Sequence, residues 1–288
     1  MSQSPEVKLK RNINSVGAAL WIYVALQMFL SFKLTWYTDY LGTKFSFSFF
    51  VVSLISGLLV ILYLRSRFDI SLKKEVKKPT KISAIIAGFC LMMLISFGWG
   101  IVQTILESLL GIGVPEPDFG FQSGFIEKIF SLITVVFIAP IMEECIFRGL
   151  IYGQLRKYNV IFGMIASSLC FGFMHMNISQ GIPTVFMGIV LAYFYETTGS
   201  LKTSILIHLL NNLVATIPDF FTSEYLLSAL IFLADIIAVF WLVKNGKKIS
   251  TFFQEMKDKK QYTKDFITSP VMIGIMILFV CMSLLDFM

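Results

Sequence analysis

Long apolar stretches separated by short polar connections run along the whole chain. A helix needs roughly 20 mainly apolar residues to cross a bilayer. Stretches near that length occur around 14–34, 46–64, 82–106, 125–147, 158–176, 181–197, 202–218, 225–243 and 269–287. Helices and closed barrels are the structures that satisfy every backbone group in lipid, and the sequence lacks the alternating pattern of barrel strands. The pattern therefore predicts an all-α fold, a polytopic transmembrane helical bundle of about eight to nine spans.

The composition agrees with a membrane domain. Of the 288 residues, 56% are hydrophobic and 15% are charged, whereas charged residues make up about 25% of soluble proteins. The longest polar connections, 65–81 and 244–266, are too short for a soluble domain. We divide the chain into N-terminal transmembrane helices with a basic loop (1–124), a central segment with most of the chemically suggestive residues (125–218), and C-terminal helices with a second basic loop (219–288).

The positive charges are distributed unevenly between the connections. The net charge is +6, and the N-terminal arm and both basic loops fall on one side if nine spans simply alternate. Because basic loops stay in the cytosol, we expect a multi-pass cell-membrane protein with a cytosolic N-terminus, in contact with the lipid bilayer. No nucleic-acid-binding motif accompanies the charges, so nucleic acid is not an expected partner. The Lys-rich, Phe- and Ile-rich composition favours a bacterial plasma membrane.

Few ionisable side chains lie inside the apolar stretches. An ionisable group at a helix centre costs at least about 2.5 kcal/mol and usually marks a functional site. The group consists of Glu143 and Glu144 in the fourth stretch, His175 at the end of the fifth, His208 in the seventh and Asp235 in the eighth. Asp235 has no motif around it, which favours a helix-pairing role. Glu196 falls at a predicted cytosolic helix end, where solvation explains it.

The two adjacent glutamates cannot share one role. Consecutive residues on a helix point about 100° apart, so one carboxylate can face a cavity while the other faces a helix. Arg148 follows Glu144 by four residues, the spacing of a helical ion pair, which leaves Glu143 to meet the histidines. Pro140 has no amide N–H to donate. We expect it to kink the helix and leave a carbonyl open, where a water could bind.

His208 and Asn212 are four residues apart and therefore share one helix face. Together with the carboxylates and His175, they indicate one of two kinds of site. The first is a water activated by a general base, with donors for an oxyanion. The second is a metal held by glutamate and histidine. Both kinds of site would serve amide hydrolysis.

Three motifs in this order resemble a known family. Glu143 to Arg148 (EECIFR) matches EExxxR, Phe171 to His175 (FGFMH) matches FxxxH, and His208 to Asn212 (HLLNN) matches HxxxN. The chain is similar over roughly 125–218 to the CPBP intramembrane proteases. That family includes the type 2 CAAX prenyl endopeptidases and bacterial proteins linked to bacteriocin processing or self-immunity. Residues 125–218 would then be a catalytic core of kinked helices.

The resemblance implies a role for each matched residue. Glu143 and His175 would activate the attacking water, and His208 and Asn212 would stabilise the oxyanion. Glu144 and Arg148 would support them. A cofactor is not determined. A divalent metal such as zinc, if present, would be held by Glu143, His175 and His208, although the HExxH spacing of zinc proteases is absent.

Two functional hypotheses follow, and they belong to different classes. The first is a CAAX-type intramembrane endopeptidase that cleaves a membrane-associated peptide or protein. The alternative is a non-catalytic membrane scaffold, or a bacteriocin self-immunity or regulatory protein, that uses the same cavity to bind a partner. A proton-linked transporter is less favoured, because the sequence shows no repeated halves with matched broken helices.

The helix lengths raise one geometric difficulty. At 1.5 Å per residue, His208 and His175 would lie at different depths in straight spans and could not meet. Tilted, kinked or re-entrant segments, or different span boundaries, are therefore required. The sequence offers five positions for such irregularity: Pro140, Gly163, Gly172, Gly181 and Pro183.

Overall fold

A computed structural model describes residues 4–41, 45–77, 80–111, 113, 124–219, 224–255 and 262–285. Within these residues every regular element is helical. The α-helices are α1 Pro5–Leu41, α2 Phe45–Arg67, α3 Leu72–Lys77, α4 Ile82–Leu110, α5 Phe125–Ile133, α6 Ala139–Glu143, α7 Gly153–Leu155, α8 Val160–Phe173, α9 Ile178–Thr198, α10 Leu201–Thr216, α11 Glu224–Glu255, α12 Tyr262–Ile267 and α13 Pro270–Leu285. Two π-helical segments, π1 Thr134–Ile138 and π2 Glu144–Tyr152, connect α5, α6 and α7, and a 3₁₀ turn, Ile217–Asp219, follows α10.

The prediction of a polytopic helical bundle is confirmed. Six helices of the described chain are long and apolar enough to cross a membrane: Pro5–Leu34, Phe47–Arg67, Ile82–Leu109, Phe125–Leu155, Ile178–Thr198 and Tyr225–Glu255. The stretches predicted around 158–176, 202–218 and 269–287 form the shorter helices α8, α10 and α13, of 14, 16 and 16 residues. The chain is a multi-pass membrane protein. Its cytosolic N-terminus and bacterial plasma membrane stay predictions.

Helices from all three predicted segments pack against one another. Helix α4 contacts α9, α10 and α11, and α1 contacts both α2 and α13. The division at residues 124 and 218 stays a prediction. Parts of the two basic loops, residues 78–79 and 256–261, lie outside the described residues.

The helical rod Phe125–Leu155 carries the irregularity that the sequence requires. The Ala139 amide donates to the Thr134 carbonyl, five residues back, and the helix is wider there than an α-helix. The next residue, Pro140, has no N–H to donate. A second π segment begins at Glu144, immediately after α6. π-helical segments are frequently found at functional sites, and here two of them lie on either side of α6, the short helix that ends at Glu143.

The glycines of α8 and α9 serve close packing instead of bending. Gly163, Gly172 and Gly181, expected as positions of irregularity, lie within regular helix, as does Pro183. A Cβ on Gly172 would lie only 2.6 Å from the Gly181 carbonyl oxygen. Small residues let helix backbones approach in membranes, so Gly172 and Gly181 hold α8 and α9 together, whereas a Cβ on Gly163 would meet the Arg156 backbone.

Candidate active site

One cavity of about 400 Å³ is lined by all four residues expected to carry the chemistry. Glu143 ends α6, His175 lies in the turn after α8, and His208 and Asn212 lie on α10. The structure therefore brings together side chains that are far apart in the sequence.

Glu144 and Arg148 form a fully buried ion pair. Arg148 Nη1 lies 3.0 Å from Glu144 Oε1, and both side chains are 0% exposed. The guanidinium carbon also lies 4.2 Å from the ring centroid of Phe171, a cation–π distance. The predicted pairing is present. Because an unpaired buried charge costs several kcal/mol, each of the two charged groups depends on the other.

His208 lies between the two glutamates. Its Nδ1 is 3.0 Å from Glu144 Oε1, and its Nε2 is 3.7 Å from Glu143 Oε2. An ionised carboxylate only accepts hydrogen bonds, so Nδ1 carries a hydrogen atom and donates a hydrogen bond to Glu144. Arg148, Glu144 and His208 thus form a chain that fixes the ring and presents Nε2 to Glu143. Glu144 therefore has two partners, the predicted Arg148 and, beyond the prediction, His208.

His175 is held by the backbone of α8 and by the turn that follows it. Its Nδ1 lies 2.9 Å from the Phe171 carbonyl oxygen. Since a carbonyl accepts, Nδ1 is the donor and the Nε2 lone pair is left available. Asn177 supports the turn: its Nδ2 donates to the His175 carbonyl, and its Oδ1 accepts from the Gln180 amide. Between them Met176 adopts a left-handed φ of 56°, a strained conformation of the kind found at functional sites.

This turn resolves the difficulty of helix length. Helix α8 ends at Phe173, two residues before His175, so the imidazole is not confined to a straight span. The sequence carried a signal for this boundary that was missed. Asn177 followed three residues later by Gln180 is a helix-capping pattern, and it begins α9.

Phe171 is a second residue whose role the sequence analysis missed. Besides Arg148, its ring contacts His175 and His208 edge-on, at centroid distances of 5.0 and 5.6 Å. These are favourable aromatic distances. The FxxxH spacing was the available signal, because it puts Phe171 and His175 on the same helix face.

The Asn212 side chain donates a hydrogen bond to the backbone carbonyl that Pro140 leaves without a donor. The Ala139 amide donates to Thr134, and Pro140 has no N–H, so the Val135 carbonyl lacks a donor in either the α or the π register. Asn212 Nδ2 donates to it at 2.9 Å. The open carbonyl was predicted, but the expected water is replaced by a side chain. One amide hydrogen of Asn212 remains for the cavity.

Sequence comparisons with known proteins cover the segment that carries these residues. Residues 125–214 match the family model "Type II CAAX prenyl endopeptidase Rce1-like". The protein of Bacillus subtilis (strain 168) named "Putative membrane peptidase YdiL" is 31% identical over 167 residues, which are 56% of this chain and 67% of that protein. The membrane-embedded CAAX protease MroQ of Staphylococcus aureus (strain USA300) is 31% identical over 174 residues, which are 56% of this chain and 69% of that protein.

The chain belongs to the Rce1-like family. As a member of this family it is a membrane protease, and the resemblance to type 2 CAAX prenyl endopeptidases is confirmed. No solved structure matches the chain significantly.

The donors of this Rce1-like site do not fit a preformed metal centre. In the part of the chain that the structure describes, no three His, Cys, Asp or Glu side chains converge as metal ligands do. We therefore derive no step through a metal.

One wall of the cavity comes from outside the residues that match the Rce1-like model. It contains Tyr23 and Gln27 of α1, Phe49 and Ser53 of α2, and Met92 of α4. None of these residues was among the site residues expected from the sequence. A polar Gln27 within an otherwise apolar span was the available signal, because amides are costly in lipid.

Two other acidic residues lie away from this cavity. Glu196 is not simply solvated as expected: its Oε2 accepts from Tyr152 at 2.6 Å and from Arg156 at 2.8 Å. Asp235 is buried on α11, which packs against α4. Neither of its carboxyl oxygens has a hydrogen-bond partner among the described residues. A helix-pairing role for Asp235 stays a prediction.

Proposed function

We propose that the chain is an intramembrane endopeptidase that hydrolyses a peptide bond of a membrane-associated peptide or protein, with Glu143 as general base. The observation that carries this proposal is the shared cavity. A carboxylate, two imidazoles and an amide face one space, while Arg148 and Glu144 fix the nearest imidazole from behind. Catalytic side chains that are held in place by further buried groups are the usual arrangement in an active site.

The attacking water is placed between Glu143 and His175. The Glu143 side chain is 17% exposed and reaches the cavity, so it can accept a proton from water. His175 Nε2, whose lone pair is available, accepts the second water hydrogen and orients the oxygen. As the proton moves to Glu143, the water oxygen bonds to the substrate carbonyl carbon and a tetrahedral oxyanion forms.

The oxyanion is stabilised from α10. Protonated His208 donates through Nε2, and Asn212 donates its remaining amide hydrogen. His208 already donates to Glu144 through Nδ1, so donation to the oxyanion requires a hydrogen on Nε2 as well. Collapse of the intermediate breaks the C–N bond, and the proton held by Glu143 passes to the leaving nitrogen. The products are a carboxylic acid and an amine.

The test uses purified protein in liposomes that carry a library of membrane-inserted peptides, with cleavage detected by mass spectrometry. Glu143→Gln removes the base and keeps the shape, so we expect cleavage to fall about 10²- to 10⁴-fold. Glu107→Gln, which alters an exposed carboxylate on α4, is the matched control and should cleave normally. Cleavage by Glu143→Gln at the parent rate would exclude Glu143 as the base.

Three further measurements address the substrate class, the alternative role and the metal. Prenylated and unprenylated peptides, including bacteriocin-leader-like sequences, are supplied together, so the cleaved class identifies itself. A cellular phenotype that survives substitution of Glu143, His175 and His208 would favour the non-catalytic scaffold or self-immunity role. Loss of cleavage after chelation, with recovery on adding zinc, would overturn the metal-free step.

A further inference from the structure

The first helix presents a polar face to the cavity and an apolar face to its surroundings. Tyr23 and Gln27 are one helical turn apart and both line the cavity. Tyr23 is 8% exposed. The other face of α1 consists of exposed apolar side chains: Trp21, Met28, Phe29 and Phe32. Tyr23 and Gln27 therefore lie on the side of α1 that borders the cavity.

The polar groups of this wall have hydrogen-bonding capacity to offer a ligand. The Tyr23 hydroxyl and the Gln27 amide line the same cavity as Glu143. A glutamine amide offers two donors and an acceptor with two lone pairs, more than one hydroxyl can use. Ser53 of α2 lines the same cavity and is 5% exposed. An amide inside a membrane is costly unless its hydrogen bonds are made.

A substrate at this depth has the complementary need. Inside the membrane a peptide keeps its backbone hydrogen bonds by being helical, but a scissile bond must leave the helix to reach Glu143. Each freed N–H and C=O group then requires a partner from the protein. A side-chain amide carries the same donor and acceptor groups as a peptide bond, so it can pair with an extended main chain in the manner of an added strand.

We propose that Tyr23, Gln27 and Ser53 form a binding subsite for the main chain of an extended peptide substrate, opposite Glu143. This subsite rests on the proposed endopeptidase function and adds its substrate contacts. It lies outside residues 125–214, the part of the chain that matches the family model. The cavity then has two walls, one for the reaction and one that holds the unwound peptide.

The kinetic test uses the best-cleaved library peptide. Gln27→Leu should raise KM about tenfold with kcat nearly unchanged, since one substrate hydrogen bond is lost in ground and transition states alike. Tyr23→Phe should act in the same direction. Tyr158→Phe is the matched control: it removes the hydroxyl that accepts from Asn12 of α1 at 2.9 Å, so it weakens the packing of α1 without touching the cavity.

The peptide itself provides the second half of the test. Replacing single amides by esters within three residues of the cleaved bond removes one N–H at a time. One such ester should weaken cleavage by the parent protein about tenfold and weaken cleavage by Gln27→Leu much less, because the two changes remove the same bond. A KM change in Tyr158→Phe equal to that in Gln27→Leu, or additive ester effects, would overturn the subsite.

Binding is measured separately, so failure of the subsite differs from failure of the protease. Glu143→Gln protein in nanodiscs is mixed with the same peptide library, and retained peptides are identified. Retention that is lost on adding Gln27→Leu and kept on adding Tyr158→Phe supports the subsite even if no cleavage occurs. Equal retention by all three proteins, including none by any, overturns it.

Discussion

The two walls of the cavity differ in how their polar groups are held. On the wall built from α6, π2, α8 and α10, the charged and polar side chains are fixed by protein partners: Glu144 by Arg148, His208 by Glu144, and His175 by the Phe171 carbonyl. The described lining residues of the N-terminal wall are neutral: Tyr23, Gln27, Phe49, Ser53 and Met92.

This difference separates chemistry from binding. Preorganised charge stabilises a transition state because it needs no rearrangement during the reaction. Neutral donors and acceptors instead suit a partner that changes from one peptide to the next. The family model covers only the wall built from α6, π2, α8 and α10, which we call the charged wall. We therefore expect substitutions on the charged wall to change stability and rate, and substitutions on the neutral wall to change substrate affinity.

The largest expected effect comes from breaking the buried ion pair. Arg148→Met leaves the Glu144 carboxylate buried without its cation, which should lower the free energy of unfolding by about 3–5 kcal/mol. Unfolding is followed by circular dichroism in detergent. Arg156→Met is the matched control, because the Arg156–Glu196 pair is 26% and 22% exposed and should cost about 1 kcal/mol.

A second variant gives the reason for the loss. Glu144→Gln combined with Arg148→Met removes both charges and keeps an acceptor for His208. The double variant should therefore have a higher free energy of unfolding than Arg148→Met alone. Equal losses for Arg148→Met and Arg156→Met would mean that the charged wall is not held by this pair.

A smaller effect is expected from Asn212, and it can be divided into two parts. Asn212→Leu removes the proposed donor to the oxyanion and the partner of the Val135 carbonyl. The rate should fall about 10²- to 10³-fold, and the free energy of unfolding should fall by about 1–3 kcal/mol. Adding Pro140→Ala restores an amide that can donate to Val135.

The double variant should therefore recover stability without recovering the rate. Thermal unfolding and the cleavage assay measure the two quantities on the same samples. If the rate returns together with stability, Asn212 acts only by positioning the helix that carries Glu143.

The smallest effect is expected from adding a methyl group at Gly188, which lies next to Arg148. A Cβ on Gly188 would lie 2.9 Å from Ser168 and 3.0 Å from Arg148 Nη2. Gly188→Ala should therefore destabilise the protein by about 1–3 kcal/mol and slow cleavage. Gly98→Ala, where a Cβ meets nothing within 4 Å, should be neutral or slightly stabilising. Similar behaviour of the two variants would show that π2 tolerates displacement of Arg148.

The local features of the site could be predicted from the sequence. Glu144 and Arg148 meet because they are four residues apart on one helical rod, and His208 and Asn212 reach one cavity for the same reason. The spans were predictable because only a helix satisfies the backbone of an apolar stretch in lipid. The capping pattern at Asn177 was also present in the sequence, although it was not used to predict the start of α9.

Contacts between helices could not be predicted in the same way. Glu144 meets His208 across 64 residues, and Val135 meets Asn212 across 77. The second contact depends on the π register before Pro140, which leaves the Val135 carbonyl without a backbone donor.

The sequence by itself determined that this is a helical membrane protein and which polar residues its spans contain. Only the tertiary structure decided that α1 completes the cavity and that Asn212 closes the Val135 carbonyl. The physical reason is that lipid is as apolar as the side chains it surrounds. Hydrophobicity places each helix in the membrane, but packing of small residues and polar contacts selects its neighbours.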